Sequence, residues 1–213
     1  MTVWDLAERD FQSEHSHSRV AELIFAFDRR LQRRQGVFEY TANPACVFRL
    51  QISRWDRNRV LRDGTRLCAG RRFAQLHYWN EQMPPIPRSG PTIAWGGELH
   101  RRIRVSLVEL ARYLRSRPDL ADIEVVFGDV PSGVREKFGQ ISRIMAHYGF
   151  EVIAEAEDLT PIQRLHRWGE NILISLIVFA QNAGALHLNT LRRVRVPIYL
   201  SRRALEERFG EAA

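Results

Sequence analysis

Hydrophobic and polar residues alternate along parts of the chain with a period of two, which predicts half-buried strands. The segment FRLQIS, residues 48–53, alternates in this way, and RRFAQLHYWN, residues 71–80, predicts a second strand. Between them, the Asp63-Gly64 pair favours a tight hairpin turn. We therefore predict an antiparallel meander that runs from about residue 46 to residue 79.

Three later stretches also predict strands. IEVVFGDV, residues 123–130, has an unbroken apolar centre, which is typical of a strand in the interior of a sheet. YGFEVIAE, residues 148–155, makes a tight turn into another strand. LRRVRVPIYL, residues 191–200, predicts the last strand, and Pro197 favours an edge or end position because proline cannot donate a ladder hydrogen bond.

Apolar residues at helical spacing predict helices in the remaining stretches. A long helix from Ile93 to Ser116 has leucines along one face and arginines mostly away from it. The four prolines at positions 84, 85, 87 and 91 predict an irregular connection before this helix. Further helices are predicted over about residues 18–34, 134–148, 160–180 and 201–210.

The length and composition favour one globular domain. The chain has 213 residues, of which 45% are hydrophobic and 27% charged, and it contains no internal repeat or low-complexity linker. We predict a flexible segment at residues 1–17, followed by a single α/β (α+β) domain over residues 18–213. Its sheet is expected to be mixed, mostly antiparallel and flanked by helices.

The formal charge of +7 comes almost wholly from arginine, because Lys137 is the only lysine. An arginine skew of this kind is typical of GC-rich genomes. The positive charge also favours an anionic partner, such as nucleic acid, anionic lipid or a phosphorylated small molecule. Nucleic acid is the least favoured of these, because no helix-turn-helix, zinc-finger or aromatic RNA-binding pattern occurs.

The first residues do not resemble a signal peptide, and no apolar run attains the roughly 18 residues of a membrane-spanning helix. We therefore expect a cytoplasmic protein, with peripheral contact at the inner membrane as a further expectation. NILISLIVFA, residues 171–180, favours a buried central helix, with a membrane-surface helix or a homodimer interface as alternatives. Neither the two cysteines nor His15 and His17 have the surroundings of a metal site, so we expect no metal.

A first resemblance rests on RDGTRLCAGRRFAQLHYWNE, residues 62–81, on the arginine-rich helix after it, and on VPIYLSRRALEERFG, residues 196–210. Over about residues 40–210 the chain resembles the YkoP-like family of bacterial domains. The shared features are Asp-Gly-Thr, a glycine a few residues later, and then Leu-His and an asparagine. This resemblance implies an association with enzymes of cell-envelope carbohydrates and little more about function.

A more distant resemblance rests on the order of elements. A three-strand meander, a long helix, a strand, a helix and then HYGFEVIAE, residues 147–155, is similar to the core of the GNAT acyltransferase superfamily. That resemblance implies a GNAT-like fold and acyl-coenzyme A as the cofactor, with its pyrophosphate at a glycine-rich turn before the long helix. Met145 stands where a tyrosine is common in that superfamily, four residues before the late glycine.

The end of the second predicted strand holds the candidate catalytic residues. A histidine at a strand end beside a glutamate is suited to be a general base, so His77 or Glu81 is the candidate base. Asn80 would orient a group of the substrate. The alternative is that His77 and Asn80 bond to the backbone and order the proline-rich connection.

The start of the long helix holds the candidate cofactor-binding residues. Trp95, Gly96 and Gly97 are the nearest substitute for the glycine-rich turn, and Arg101 is close enough to assist an anion. The alternative is that the glycines only allow close packing or weaken the first helical turn, while the arginines form a solvated face.

These residues favour an acyltransferase-like enzyme that acts on a small or lipid-linked, anionic substrate of the cell envelope. The rival hypothesis is a non-catalytic accessory or scaffold module that binds an anionic surface or a protein partner. Only the enzyme hypothesis requires His77, Glu81 and the turn at Gly96 to converge on one pocket.

Overall fold

The computed structural model of the chain describes residues 26, 30, 34–85, 87, 90, 92–132, 138–153 and 194–210. Within these residues the strands are β1 (Phe48–Arg54), β2 (Arg59–Val60), β3 (Arg66–Leu67), β4 (Arg72–Tyr78), β5 (Val125–Ser132), β6 (Glu151–Val152) and β7 (Val194–Ser201). The helices are α1 (Ile93–Ser116), α2 (Phe138–His147) and α3 (Arg202–Phe209), with 3-10 turns at Asn80–Gln82 and Pro118–Leu120.

Five of the strands form one mixed sheet in the order β1-β4-β5-β7-β6. The β4 and β5 strands are parallel, whereas each of the other neighbouring pairs is antiparallel. Helix α1 connects β4 to β5, and α2 connects β5 to β6. The predicted mixed, mostly antiparallel α/β domain is therefore confirmed.

Helix α1 has the predicted bounds and buries one face against the sheet. Thr92 caps its first turn, because its side-chain oxygen accepts a hydrogen bond from the Trp95 N–H at 3.2 Å. Leu107, Leu110 and Leu114 are completely buried in the core between helix and sheet. At about 2 kcal/mol for each buried leucine, this face anchors the helix. We call this side of the sheet the helix face.

The predicted meander forms only in part, because its two middle strands leave the sheet. The β1 and β4 strands pair antiparallel along their whole length, from Phe48 opposite Tyr78 to Arg54 opposite Arg72. The β2 and β3 strands instead form a separate two-stranded hairpin.

The turn of this hairpin was predicted correctly. Gly64 has a φ of 86°, a value that favours glycine. The hairpin folds back over the sheet because Leu61 and Leu67 are buried in a second apolar cluster with Phe73 and Phe127. This cluster lies on the sheet side opposite α1, which we call the hairpin face.

The edge position predicted for the last strand is wrong, since β7 lies between β5 and β6. Pro197 is opposite Asp129 of β5 and needs no partner on its other side. The reason is that β6 ends at Val152, opposite Ile198, one residue short of Pro197.

The end of the chain follows its prediction. Helix α3 begins after Ser201, whose side-chain oxygen accepts the Ala204 N–H at 3.0 Å, and it ends before Gly210. The predictions for residues 1–17 and 160–180 lie outside the described residues, as does most of the helix predicted over 18–34. Among the described helices, none has the length and apolar character to cross a membrane.

Candidate functional site

The two parallel strands separate near their carboxyl ends. Their ladder pairs Ala74 with Val126 and continues to Leu76 opposite Gly128, and among the described residues it stops there. Both strands continue past this last pair, β4 to Tyr78 and β5 to Ser132. We call the space beyond the last pair the β4–β5 opening.

A titratable residue follows the last pair on each strand: His77 on β4 and Asp129 on β5. Because side chains alternate along a strand, both lie on the hairpin face, opposite to Leu76 and the helix face. The opening is therefore flanked by an imidazole and a carboxylate on one side of the sheet. Sequence reasoning identified His77 but missed Asp129, whose only signal is the Gly-Asp pair that ends an apolar run.

The hydrogen bonds around His77 determine which ring nitrogen holds its proton. The Gln51 amide nitrogen donates to the Gln35 carbonyl at 2.6 Å, so the Gln51 oxygen faces His77. That oxygen lies 2.9 Å from His77 Nε2 and can only accept a hydrogen bond. The neutral imidazole therefore has its proton on Nε2, and its Nδ1 is the nitrogen with a lone pair.

Beside His77, a buried arginine connects two glutamates on the hairpin face. Arg49 is directly opposite His77 and is only 4% exposed. Its guanidinium lies 3.1 Å from a Glu39 carboxylate oxygen, 3.4 Å from one of Glu81, and 4.9 Å from the ring centre of Trp79. Of the candidate catalytic residues, Glu81 is thus paired with Arg49, and His77 is opposite Arg49 in the strand register. Glu81 is therefore engaged in an ion pair, and His77 is hydrogen-bonded to Gln51.

Asn80 opens the 3-10 turn that follows β4. Its carbonyl accepts the Met83 N–H at 3.4 Å, so its backbone helps to close this turn. The carbonyl of Gln82, the last residue of the turn, accepts a hydrogen bond from the Arg102 guanidinium of α1 at 2.8 Å. The segment after β4 is therefore fastened to the first turns of α1.

The candidate cofactor-binding residues lie at the other end of this connection. Trp95 fastens the proline segment, since its indole N–H donates to the Pro84 carbonyl at 3.1 Å. The Gly96 N–H donates to the Thr92 carbonyl at 2.9 Å and is therefore used within the helix. Gly96 and Gly97 are both exposed, and a Cβ added to either would meet nothing within 4 Å. The two glycines thus form no tight cradle around a phosphate position.

Arg101 is engaged on the exposed side of α1. Its guanidinium donates two hydrogen bonds to Glu98, at 2.9 and 2.8 Å. Hydrogen bonds from Arg101 and Arg102 lower the pKa of Glu98 to about 2. The arrangement is that of a solvated helix face with its charges paired.

A small apolar cavity lies behind the opening, between the sheet and the two helices α1 and α2. Its volume is about 40 Å³. It extends to the opening, because His77 and Asp129 are among its lining residues. Neither Glu81 nor the turn at Gly96 lines it, so His77, Glu81 and that turn do not converge on this cavity. The rest of the lining is mostly apolar and consists of Phe48, Leu76, Tyr78, Ile103, Gly128, Val130, Met145, Tyr148, Phe150 and Ile198.

The cavity wall also contains a tyrosine whose hydroxyl lies within hydrogen-bond distance of a histidine. Tyr148 is buried, and its hydroxyl lies 2.8 Å from His100 Nδ1. Burial raises the pKa of Tyr148, although the charge of Arg104 acts in the opposite direction. Tyr148 therefore keeps its proton at neutral pH, within hydrogen-bond distance of His100. A second histidine, His147, has its ring centre 5.4 Å from that of His100.

Tyr78 makes the stability of the folded protein depend on pH in the alkaline range. Burial, with a further contribution from the charge of Asp129, raises the pKa of Tyr78 to about 12. The folded protein thus holds this proton more tightly than the unfolded chain, in which tyrosine titrates near 10. The stabilisation is complete below pH 10 and is lost as the pH rises towards 12.

We expect Tyr78→Phe to weaken the fall of the unfolding free energy above pH 10. Chemical denaturation at several pH values from 9 upwards measures this fall. Tyr40, whose pKa is also raised well above its ordinary value by burial, remains in both proteins and contributes equally. An unchanged pH dependence in the variant would show that Tyr78 is not held protonated by its surroundings.

The comparisons with known proteins identify a family and no characterised relative. No curated protein and no solved structure matches the chain. A family model described as the YkoP domain matches residues 20–209. Because this match spans well over half of the 213 residues, the protein belongs to the YkoP domain family.

Proposed function

We propose that the protein is an acyltransferase whose acyl donor occupies the β4–β5 opening. The observation that carries this proposal is the end of the β4–β5 ladder at Leu76 and Gly128. Beyond it, His77 and Asp129 flank the opening on the hairpin face, and the apolar cavity lies behind it on the helix face. A short acyl group can therefore lie in an apolar space while its reactive carbon meets titratable groups.

The topology supports the same proposal. The chain passes from β4 through α1, β5 and α2 to β6, and this is the order of elements on which the resemblance to the GNAT acyltransferases rests. The one parallel pair lies between antiparallel neighbours, so separating its two strands leaves the rest of the sheet paired. A ligand in this position would complete the backbone pairing that the two strands no longer give each other.

Acyl-coenzyme A would supply an activated acyl carbon at the opening. His77 Nδ1 would accept the proton of the attacking amine or hydroxyl, while Gln51 holds the ring in its orientation through Nε2. Tyr148 holds a proton at the cavity wall, and His100 behind it can exchange that proton with solvent. The acceptor would form its bond to the acyl carbon as the carbon–sulfur bond of the thioester breaks, and the departing coenzyme A thiolate would take up a proton from Tyr148.

The acyl end of the donor would lie in the β4–β5 opening. Gly96 and Gly97 have no role in this arrangement, because their surroundings are open. A cavity of about 40 Å³ favours a short acyl group. The proposed acceptor is a small or lipid-linked molecule of the cell envelope. That choice of acceptor rests on the family resemblance alone.

Filling the cavity tests the proposal. We expect acetyl-coenzyme A to bind the wild-type protein in a calorimetric titration, and Met145→Trp to abolish binding because Met145 lines the cavity. Ile144→Trp is the matched control, because the neighbouring Ile144 is 47% exposed and does not line the cavity. Thermal unfolding verifies that both variants are folded.

Two results would contradict the proposal. One is equal loss of binding in both variants, which would show that binding does not depend on the cavity. The other is no binding of acetyl-coenzyme A by the wild-type protein at concentrations far above typical affinities. The second result would favour the rival hypothesis of a non-catalytic accessory module.

A further inference from the structure

Most of the net charge of the chain is concentrated around the β2–β3 hairpin. Residues 54–72 contain seven arginines and two aspartates, a net charge of +5, compared with +7 for the whole chain. The remaining residues together therefore contribute only +2. This concentration makes the hairpin the most basic segment in the part of the chain that the structure describes.

Each side of the hairpin ladder has one apolar residue and one arginine, and the outward pair is exposed. Leu67 and its partner Arg59 face the sheet, where Leu67 is buried and Arg59 lies over the Tyr199 ring. Val60 and its partner Arg66 take the opposite side of the hairpin, and both are exposed. Val60 is 61% exposed, and among the described residues it is one of three exposed large apolar side chains, with Ile93 and Ile144.

Four further exposed arginines lie in the hairpin segment or directly beside it along the chain. We define the hairpin surface by Val60 and the five exposed arginines Arg54, Arg57, Arg62, Arg66 and Arg71. Of these, the Arg62 side chain is 85% exposed even though it lies 3.6 Å from Glu151. A guanidinium so exposed remains available to a second anion.

Acidic groups adjoin the hairpin surface without neutralising it. Asp56 pairs with Arg57 at 3.0 Å, and Asp63 accepts the Thr65 N–H within the turn. Asp122, beside α1, is paired with the half-buried Arg72, outside the defined surface. Five exposed arginines against the two exposed aspartates of the hairpin and Glu151 beside Arg62 leave a net charge of +2 among these residues.

The hairpin surface is remote from the candidate site. Arg54 and Arg72 mark the opposite end of the β1–β4 pair from His77. Arg72 and His77 are five residue steps apart along the strand, a span of about 17 Å. A partner bound to the hairpin surface would therefore leave the β4–β5 opening accessible.

We propose that the hairpin surface binds an anionic membrane. Guanidinium groups bind lipid phosphates through paired hydrogen bonds, and the exposed Val60 among them supplies an apolar group that can enter the lipid interface. Nucleic acid fits less well, because the aromatic residue of this segment, Trp55, is committed to edge contacts with Phe73 and Phe127 and offers no stacking face. Such docking would place a lipid-linked acceptor near the protein, but it does not depend on the acyltransferase proposal.

Vesicle co-sedimentation of the full chain tests this proposal. We expect binding to vesicles of phosphatidylcholine mixed with phosphatidylglycerol, weaker binding as salt is raised, and none to pure phosphatidylcholine. The double variant Arg62→Gln/Arg66→Gln should weaken binding roughly 30-fold, at about fivefold for each arginine. Val60→Ser should weaken it roughly tenfold.

The matched control is Arg112→Gln/Arg143→Gln, which removes two exposed charges from α1 and α2 and gives the same net charge. An equal loss in this control would overturn the proposal, because binding would then follow net charge alone. Binding to duplex DNA or single-stranded RNA that is tighter than to the anionic vesicles and unaffected by Val60→Ser would also overturn it. Loss of acetyl-coenzyme A binding bears only on the proposed function, since none of these residues lines the cavity.

Discussion

Replacing His77 with glutamine is expected to lower the rate of acyl transfer about 100-fold or more. The side-chain amide of the new glutamine can still donate a hydrogen bond to the Gln51 oxygen, as His77 Nε2 does in the wild type. The variant therefore keeps this contact between β4 and β1. Unlike the imidazole of His77, this amide has no lone pair that is basic enough to take a proton from the acceptor. The rate is measured as free thiol released from acetyl-coenzyme A with a panel of amine and hydroxyl acceptors.

The pH profile distinguishes a base from a structural residue. The wild-type rate should fall on the acid side as the base is protonated, and this limb should disappear in His77→Gln. Gln75→Asn is the control, because Gln75 lies two residues earlier on the same face of β4. Its rate should stay within about twofold of the wild type. A His77→Gln variant with the wild-type rate would exclude His77 as the base.

Replacing Arg49 with methionine is expected to lower the free energy of unfolding by about 3 kcal/mol. Arg49 is buried and serves both Glu39 and Glu81, while its guanidinium lies over Trp79. Methionine fills a similar volume but leaves the Glu81 carboxylate, which is only 20% exposed, without this cation. Denaturant unfolding monitored by fluorescence and circular dichroism measures the loss.

Two further variants identify the cause of that loss. Arg49→Met/Glu81→Met should recover a large part of the stability, because it removes the carboxylate together with its cation. Arg49→Lys should recover little, because one ammonium cannot bridge two carboxylates as a planar guanidinium does. A loss below about 1 kcal/mol in Arg49→Met would mean that the cluster contributes no more than a surface ion pair.

Local elements were predictable from the sequence because they depend on neighbouring residues. The period of the leucines and the threonine before them determine where α1 begins and which face it buries. The alternation in β1 and β4 is visible because the two strands are half-buried. The Asp63-Gly64 turn depends on a backbone angle that glycine adopts readily.

The partners of the strands were not predictable in the same way. Pro197 suggested an edge strand, yet β7 is interior because β6 is too short to require the missing N–H. The β2–β3 hairpin is not part of the sheet because Leu61 and Leu67 pack in the apolar cluster on the hairpin face. This packing joins residues that are distant in sequence, so no local pattern predicts it.

In the candidate site, the sequence predicted only those residues whose type alone indicates a chemical role. His77 and Glu81 were identified from their types and from the strand end, and the structure places both beside Arg49. Arg49 was missed because it occupies a polar position of an alternating strand, where solvent exposure is the ordinary expectation. Asp129 was missed because its role depends on where the β4–β5 ladder stops, which no local pattern records.

Amide hydrogen exchange at Tyr78 tests the central claim most directly. The Trp79 N–H donates to the Val47 carbonyl on the β1 side, so the alternation of the strand turns the Tyr78 N–H towards β5, beyond the last pair of the ladder. A donor in the β4–β5 opening would cover this amide. We expect its exchange, followed by NMR, to slow when acetyl-coenzyme A is added. Saturation with acetyl-coenzyme A that leaves the exchange at Tyr78 unchanged would contradict the proposed site.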